Sequence, residues 1–166
     1  MATRGRYLGS GLGLVDDKGR VAIPASLRAT LLANAGGPDA KSGTIIVGVH
    51  QQSKCAVAFD PAHLDRLAED LDRREREHTA EDGEFDYTIK RKGGLGAEST
   101  PFDASGRFIM PGFPRFHAEI GAHAFFWGSL DLIEIWNPTL LLAAAGVPEV
   151  MLSALRYHLA EKKVAL

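Results

Sequence analysis

Asp16, Gly19, Arg20, Pro24 and Arg28 recur, at identical spacing, as Asp103, Gly106, Arg107, Pro111 and Arg115. The two stretches read VDDKGRVAIPASLR (15–28) and FDASGRFIMPGFPR (102–115), and each places three apolar residues between its Arg and its Pro. A carboxylate four residues before a guanidinium, with Gly between them, suits a tight turn. The Asp can accept bonds from nearby backbone N–H groups and hold the Arg that follows. The chemistry on offer is a cation fixed on a rigid β-ribbon. A ribbon of this kind can enter a DNA major groove, where an Arg fork takes guanine O6 and N7. Lys18 would add a phosphate contact, and Arg4 and Arg6, read as part of a flexible arm, would add more. Asp16, Gly19 and Pro24, with Asp103, Gly106 and Pro111, are expected to shape the turns rather than touch a partner. Arg28 and Arg115 are expected mainly to stabilise the fold.

The echo continues downstream, where AVAFDPAHL (56–64) is answered by IEIWNPTLL (133–141). The chain therefore reads as a tandem duplication. Each copy predicts a Gly-supported turn, a short strand (20–23; 107–110) ending at Pro, and a brief helix. The second helix, which contains Pro114, should be a single turn. A hairpin follows in each (44–49 with 55–59; 124–128 with 132–136). Asp60-Pro61 and Asn137-Pro138 then offer helix N-caps with Pro at the first helical position. Leu64, Leu67 and Leu71 lie on one side of a highly charged first helix. Met151, Leu155 and Leu159 form the stripe of a last helix that resumes after Gly146-Val147-Pro148. Residues 33–43 read as an exposed loop, and the polar, Gly-rich stretch 80–99 as a joint. The domain expectation is residues 1–79 as first half with charged helix, 80–99 as joint, and 100–166 as second half with C-terminal helix.

Order and motif together resemble the MraZ family, bacterial transcription regulators built from two AbrB-like (SpoVT-AbrB) halves. The matching residues are Tyr7 and Gly9, Asp16 to Arg20, Ile23-Pro24 and Arg28, then Asp103, Gly106, Arg107, Pro111, Arg115, Gly128 and Glu134-Ile135-Trp136. The resemblance implies an α+β, mainly β fold, two AbrB-like halves packed as a pseudo-symmetric split β-barrel with short helices. It implies double-stranded DNA as partner, a homo-oligomeric ring set on repeated promoter boxes, and repression of the division and cell-wall gene cluster. Ala104-Ser105 stands where the first copy has Asp17-Lys18, so the first copy should dominate DNA contact. The alternative is an AbrB-like oligomeric scaffold without DNA binding, with helix 62–79 as its contact.

Composition is compatible with these readings. A net charge of −2 conceals segregation: residues 1–30 carry five cations against Asp16 and Asp17, whereas residues 62–86 carry four arginines against ten acids. The absence of an apolar leader in MATRGRYLGSG makes a cytoplasmic, nucleoid-associated protein the expectation. Cys55, the one cysteine, falls in an apolar strand and is expected to be a buried thiol. Trp127, Trp136, Phe125 and Phe126 are expected to pack in a core or between subunits rather than to stack on bases. No catalytic residue, cofactor, small-molecule substrate or membrane is expected. Gly9-x-Gly11-x-Gly13 has the wrong spacing for a dinucleotide loop, and His117, Glu119 and His123 do not make a metal-ligand spacing.

Overall fold

A computed structural model describes residues 3–36 and 42–166. The chain runs β1 (Ser10–Leu14), β2 (Arg20–Ala22), α1 (Ala25–Gly36), β3 (Gly43–Val49), β4 (Ala56–Phe59), α2 (Pro61–Glu77), α3 (Thr88–Gly93), β5 (Glu98–Phe102), β6 (Arg107–Ile109), α4 (Gly112–His117), β7 (His123–Gly128), β8 (Ile133–Trp136), α5 (Pro138–Ala143) and α6 (Glu149–Glu161). All pairings are antiparallel. Six strands form a sheet in the order β1-β7-β8-β4-β3-β5, and β2 pairs with β6 in a separate ribbon.

That order is a palindrome in the two copies. Its centre is β8 against β4, the equivalent strands of the two hairpins. Flanking it, β1 of the first copy pairs with β7 of the second, and β5 of the second pairs with β3 of the first. Each copy thus lends its first strand to the other copy's hairpin. Alternating apolar residues determine which face a strand buries, but both hairpins offer the same pattern, and the exchanged pairing satisfies it equally well.

One sheet face is covered by the ribbon and α1. Val21, Ile23, Phe108 and Met110 from the ribbon meet Leu27 and Leu31 of α1 and Ile45, Val47, Ile133 and Ile135 of the sheet, all buried. On the other face, Met151 and Leu155 of α6 close over Leu12, Cys55, Phe125 and Trp136, while Leu64 and Leu67 of α2 pack on Ile46, Val57 and Phe59. Cys55 is buried, and desolvation, ahead of the nearby Glu134 carboxylate, pushes its thiol well above the usual range. Phe125, Phe126 and Trp136 are core residues, and Trp127 packs against the α6 cluster.

Several local expectations change. Helical residues outnumber strand residues among the described residues, so the fold is mixed α+β rather than mainly β, and its strands form no closed barrel there. Residues 33–36, read as loop, finish a three-turn α1, because Leu27 and Leu31 anchor its length in the core; residues 37–41 lie outside the described residues. The 80–99 stretch carries a 3-10 turn, α3 and the start of β5. Its α3 is tied to α2 by Lys90, whose ammonium reaches Asp72 at 3.0 Å and Glu75 at 2.7 Å. Asp60 and Asn137 cap α2 and α5 as their Pro neighbours predict. No helix among the described residues is long and apolar enough to cross a membrane.

Candidate nucleic-acid interface

The two repeated turns fold alike, atom for atom. Asp16 Oδ1 accepts from the backbone N–H of Lys18 and of Arg20, both at 2.9 Å, and its Oδ2 accepts from Arg20 Nε at 2.6 Å. Asp103 Oδ1 accepts from the N–H of Ser105 at 2.9 Å and of Arg107 at 3.0 Å, and its Oδ2 from Arg107 Nε at 3.0 Å. The backbone bonds from Arg20 and Arg107 lead the contacts that hold these two carboxyls below the usual carboxylate range. Gly19 and Gly106 close the turns at φ of +85° and +79°, a region L side chains avoid.

Each turn is also braced by the opposite copy. Ile23 N–H donates to Gly106 O at 2.8 Å, and Met110 N–H donates to Gly19 O at 2.9 Å. Arg28 runs beneath the second turn and donates from Nη1 to Ser105 O at 2.6 Å. Arg115 sits so close to Gly19 that a Cβ there would lie 3.1 Å from its Nη1. Its Nε donates to Ile120 O at 3.2 Å. Both arginines are half-buried and serve the fold.

Outward, the ribbon presents Arg20 and Ala22 from β2 and Arg107 and Ile109 from β6; Val21 and Phe108 between them point to the core. The side chains of Arg20 and Arg107 are 57% and 66% exposed. They stand on diagonal positions of the ribbon, close enough for long side chains to reach one another. Only the Nε edge of each is held by its Asp, so the paired terminal nitrogens of both, the edge that forks to a guanine or a phosphate, make no protein hydrogen bond among the described residues. These exposed ion pairs add little to stability but fix the direction of each guanidinium. Leu14, Arg20, Ala22, Pro101, Arg107 and Ile109 line a shallow groove of about 1000 Å³ over this face. Lys18 is exposed at the tip of the first turn.

Arg4 and Arg6 do not join them. Arg4 is drawn inward, with its side chain 11% exposed, and donates to the fully buried Asp60 from Nη2 at 2.6 Å and from Nε at 3.0 Å. The segment is no free arm: Tyr7 bridges to Leu130, and its hydroxyl donates to Asp60 at 2.7 Å. Arg6 pairs with the exposed carboxylate of Asp131. The burial of Asp60 would have revealed this partner, but an Asp before Pro reads from sequence only as a solvent-facing helix cap.

Three bacterial proteins named "Transcriptional regulator MraZ" are similar to the chain over most of their length. The protein from Rhodospirillum rubrum is 34% identical over 141 residues, 84% of each chain. The chain belongs to the MraZ family. The proteins from Gluconacetobacter diazotrophicus and Ruegeria pomeroyi are 31% and 30% identical, each over 80% of this chain and 78% of theirs. No protein-family model matches the chain. Its relatives' shared name makes the chain a member of a family of transcriptional regulators.

Proposed function

We propose that this chain is a sequence-specific DNA-binding transcriptional regulator, a repressor of the division and cell-wall gene cluster that occupies repeated promoter boxes as a homo-oligomeric ring. The observation that carries the DNA reading is the shared outward face of Arg20 and Arg107, each anchored by Nε to an aspartate with its terminal nitrogens available. On this reading residues 1–79 and 100–166 are two AbrB-like copies, joined by 80–99, of a split-barrel architecture. Their ribbon enters the major groove, and Lys18 takes a phosphate beside it. Arg20 is the principal reader because Lys18 has only Ser105 as its counterpart in the second copy. Exposed Phe113 and Phe116 on α4, at 50% and 80%, favour self-association, which would supply through avidity what a single ribbon lacks.

Fluorescence anisotropy on a labelled duplex from upstream of the chain's own gene tests this, with a scrambled duplex as reference. Selective binding that weakens steeply between two salt concentrations is expected, through counterion release. Arg20→Ala should abolish selectivity in a folded protein, and Arg107→Ala should weaken binding less. Equal affinity for both duplexes would refute sequence-specific reading, and no binding to either by a folded, oligomeric protein would favour the protein scaffold.

A further inference from the structure

The outward ribbon face is symmetric between the copies at two positions and broken at the other two. Arg20 and Arg107 are equivalents, but Ala22 answers to Ile109. The cross-strand pairs are Arg20 with Ile109 and Ala22 with Arg107. Backbone bonds at Ile23–Gly106 and Met110–Gly19 make these the non-hydrogen-bonded pairs, in which facing side chains approach most closely. Arg20 therefore has a branched apolar neighbour directly beside it, whereas Arg107 has only a methyl group. Ile109 is 54% exposed, while the inward-facing Phe108 and Met110 on either side fill the core. Its outer surface is thus available in the same groove as Arg20, with Leu14 on the wall.

In a major groove the apolar feature beside a guanine edge is the 5-methyl of a neighbouring thymine. We propose that Ile109 is a specificity-determining residue that packs on the 5-methyl of a thymine adjacent to the guanine taken by Arg20. Ala22 offers only a single methyl beside Arg107, a smaller apolar surface than Ile109, so the box read by one chain is asymmetric and gives the protein a polarity on DNA. The inference rests on the DNA-binding reading above.

The test replaces each thymine of the promoter duplex, one at a time, with deoxyuridine, which keeps every hydrogen-bonding group and loses only the methyl. Wild-type protein should lose affinity about four-fold at one position, the worth of one buried methyl-sized group. Ile109→Ala, checked for folding by circular dichroism, should bind the thymine duplex less tightly and show no deoxyuridine penalty. Selective wild-type binding that no deoxyuridine alters, or a penalty that persists in Ile109→Ala, would overturn the assignment and leave the DNA reading standing. Wild-type protein that cannot tell the promoter from the scrambled duplex would overturn both.

Discussion

Replacing Asp60 offers the sharpest test of how the two copies are held together. Its carboxylate is fully buried and accepts from Arg4, from the Tyr7 hydroxyl and from the backbone N–H of His63. Burial pushes its pKa up, but the Arg4 and Tyr7 hydrogen bonds outweigh that and hold it below the usual range. Arg4 also donates to Asp131 O at 2.7 Å, so the site joins the N-terminal segment, the cap of α2 and the β7–β8 turn. Asp60→Ala would leave the Arg4 cation buried with only that carbonyl opposite it. Removing one member of a buried pair costs about 3–5 kcal/mol, whereas losing an ordinary N-cap costs about 1. The expected loss is therefore about 4 kcal/mol, read as a shift in the urea midpoint at pH 7. The double variant Arg4→Met/Asp60→Asn should cost less than the sum of its single changes, by up to about 3 kcal/mol. A loss of about 1 kcal/mol for Asp60→Ala, with Arg4→Met and Asp60→Asn additive in their double variant, would refute the reasoning and reduce Asp60 to a simple cap.

The glycine turns and the histidines give two further expectations. Gly19→Ala should cost about 1–2 kcal/mol from its positive φ alone. Gly106→Ala should cost more, since a Cβ there meets Arg28 Cδ at 2.8 Å and Ile23 O at 3.2 Å. Thermal unfolding that ranks them the other way would show that the turns do not depend on the crossed arginines. Burial, followed by the Arg4 charge, lowers the pKa of His63, and burial lowers that of His158. The unfolded chain therefore binds more protons below about pH 6.5, and stability should fall as pH drops from there through the folded values. Asp60, Asp16 and Asp103, held low in the fold, should add a second loss below about pH 4. A melting temperature flat between pH 7 and 5.5 would contradict the histidine contribution.

What could be read from sequence was local. The Asp-x-x-Gly-Arg turns, both hairpins, the Asp60 and Asn137 caps and the buried Cys55 each depend on a few adjacent residues, and each is where the pattern puts it. What could not be read was which strand pairs with which. β1 could have closed on β3 of its own copy as well as on β7 of the other, because the two hairpins carry equivalent apolar faces. The exchanged topology also decides the fate of Arg4: its partner Asp60 lies 56 residues away and comes within reach only when Tyr7 joins the β7–β8 turn. Of the five cationic candidates, Arg20, Arg107, Lys18 and Arg6 are exposed, with Arg6 paired to Asp131 rather than standing on the ribbon, and Arg4 is drawn into the core.

The crossed bracing changes what the repeated motif itself can be evidence for. Ile23 and Arg28 bond to the second turn, while Met110 and Arg115 bond to or abut the first. The glycines and the later arginines would be needed at both places by a protein that touched no DNA at all. The recurrence of the motif therefore argues for the strand-exchanged fold before it argues for function. Arg20 and Arg107 are different: among the described residues the side chain of each hydrogen-bonds only to the aspartate of its own turn, and its terminal nitrogens make no protein hydrogen bond. No packing among the described residues demands two long cations on one exposed face, flanking a branched apolar side chain. That surplus, rather than the repeat, is the physical argument for a polyanionic partner. It also explains why a chain of net charge −2 needs no overall excess of cations to bind one.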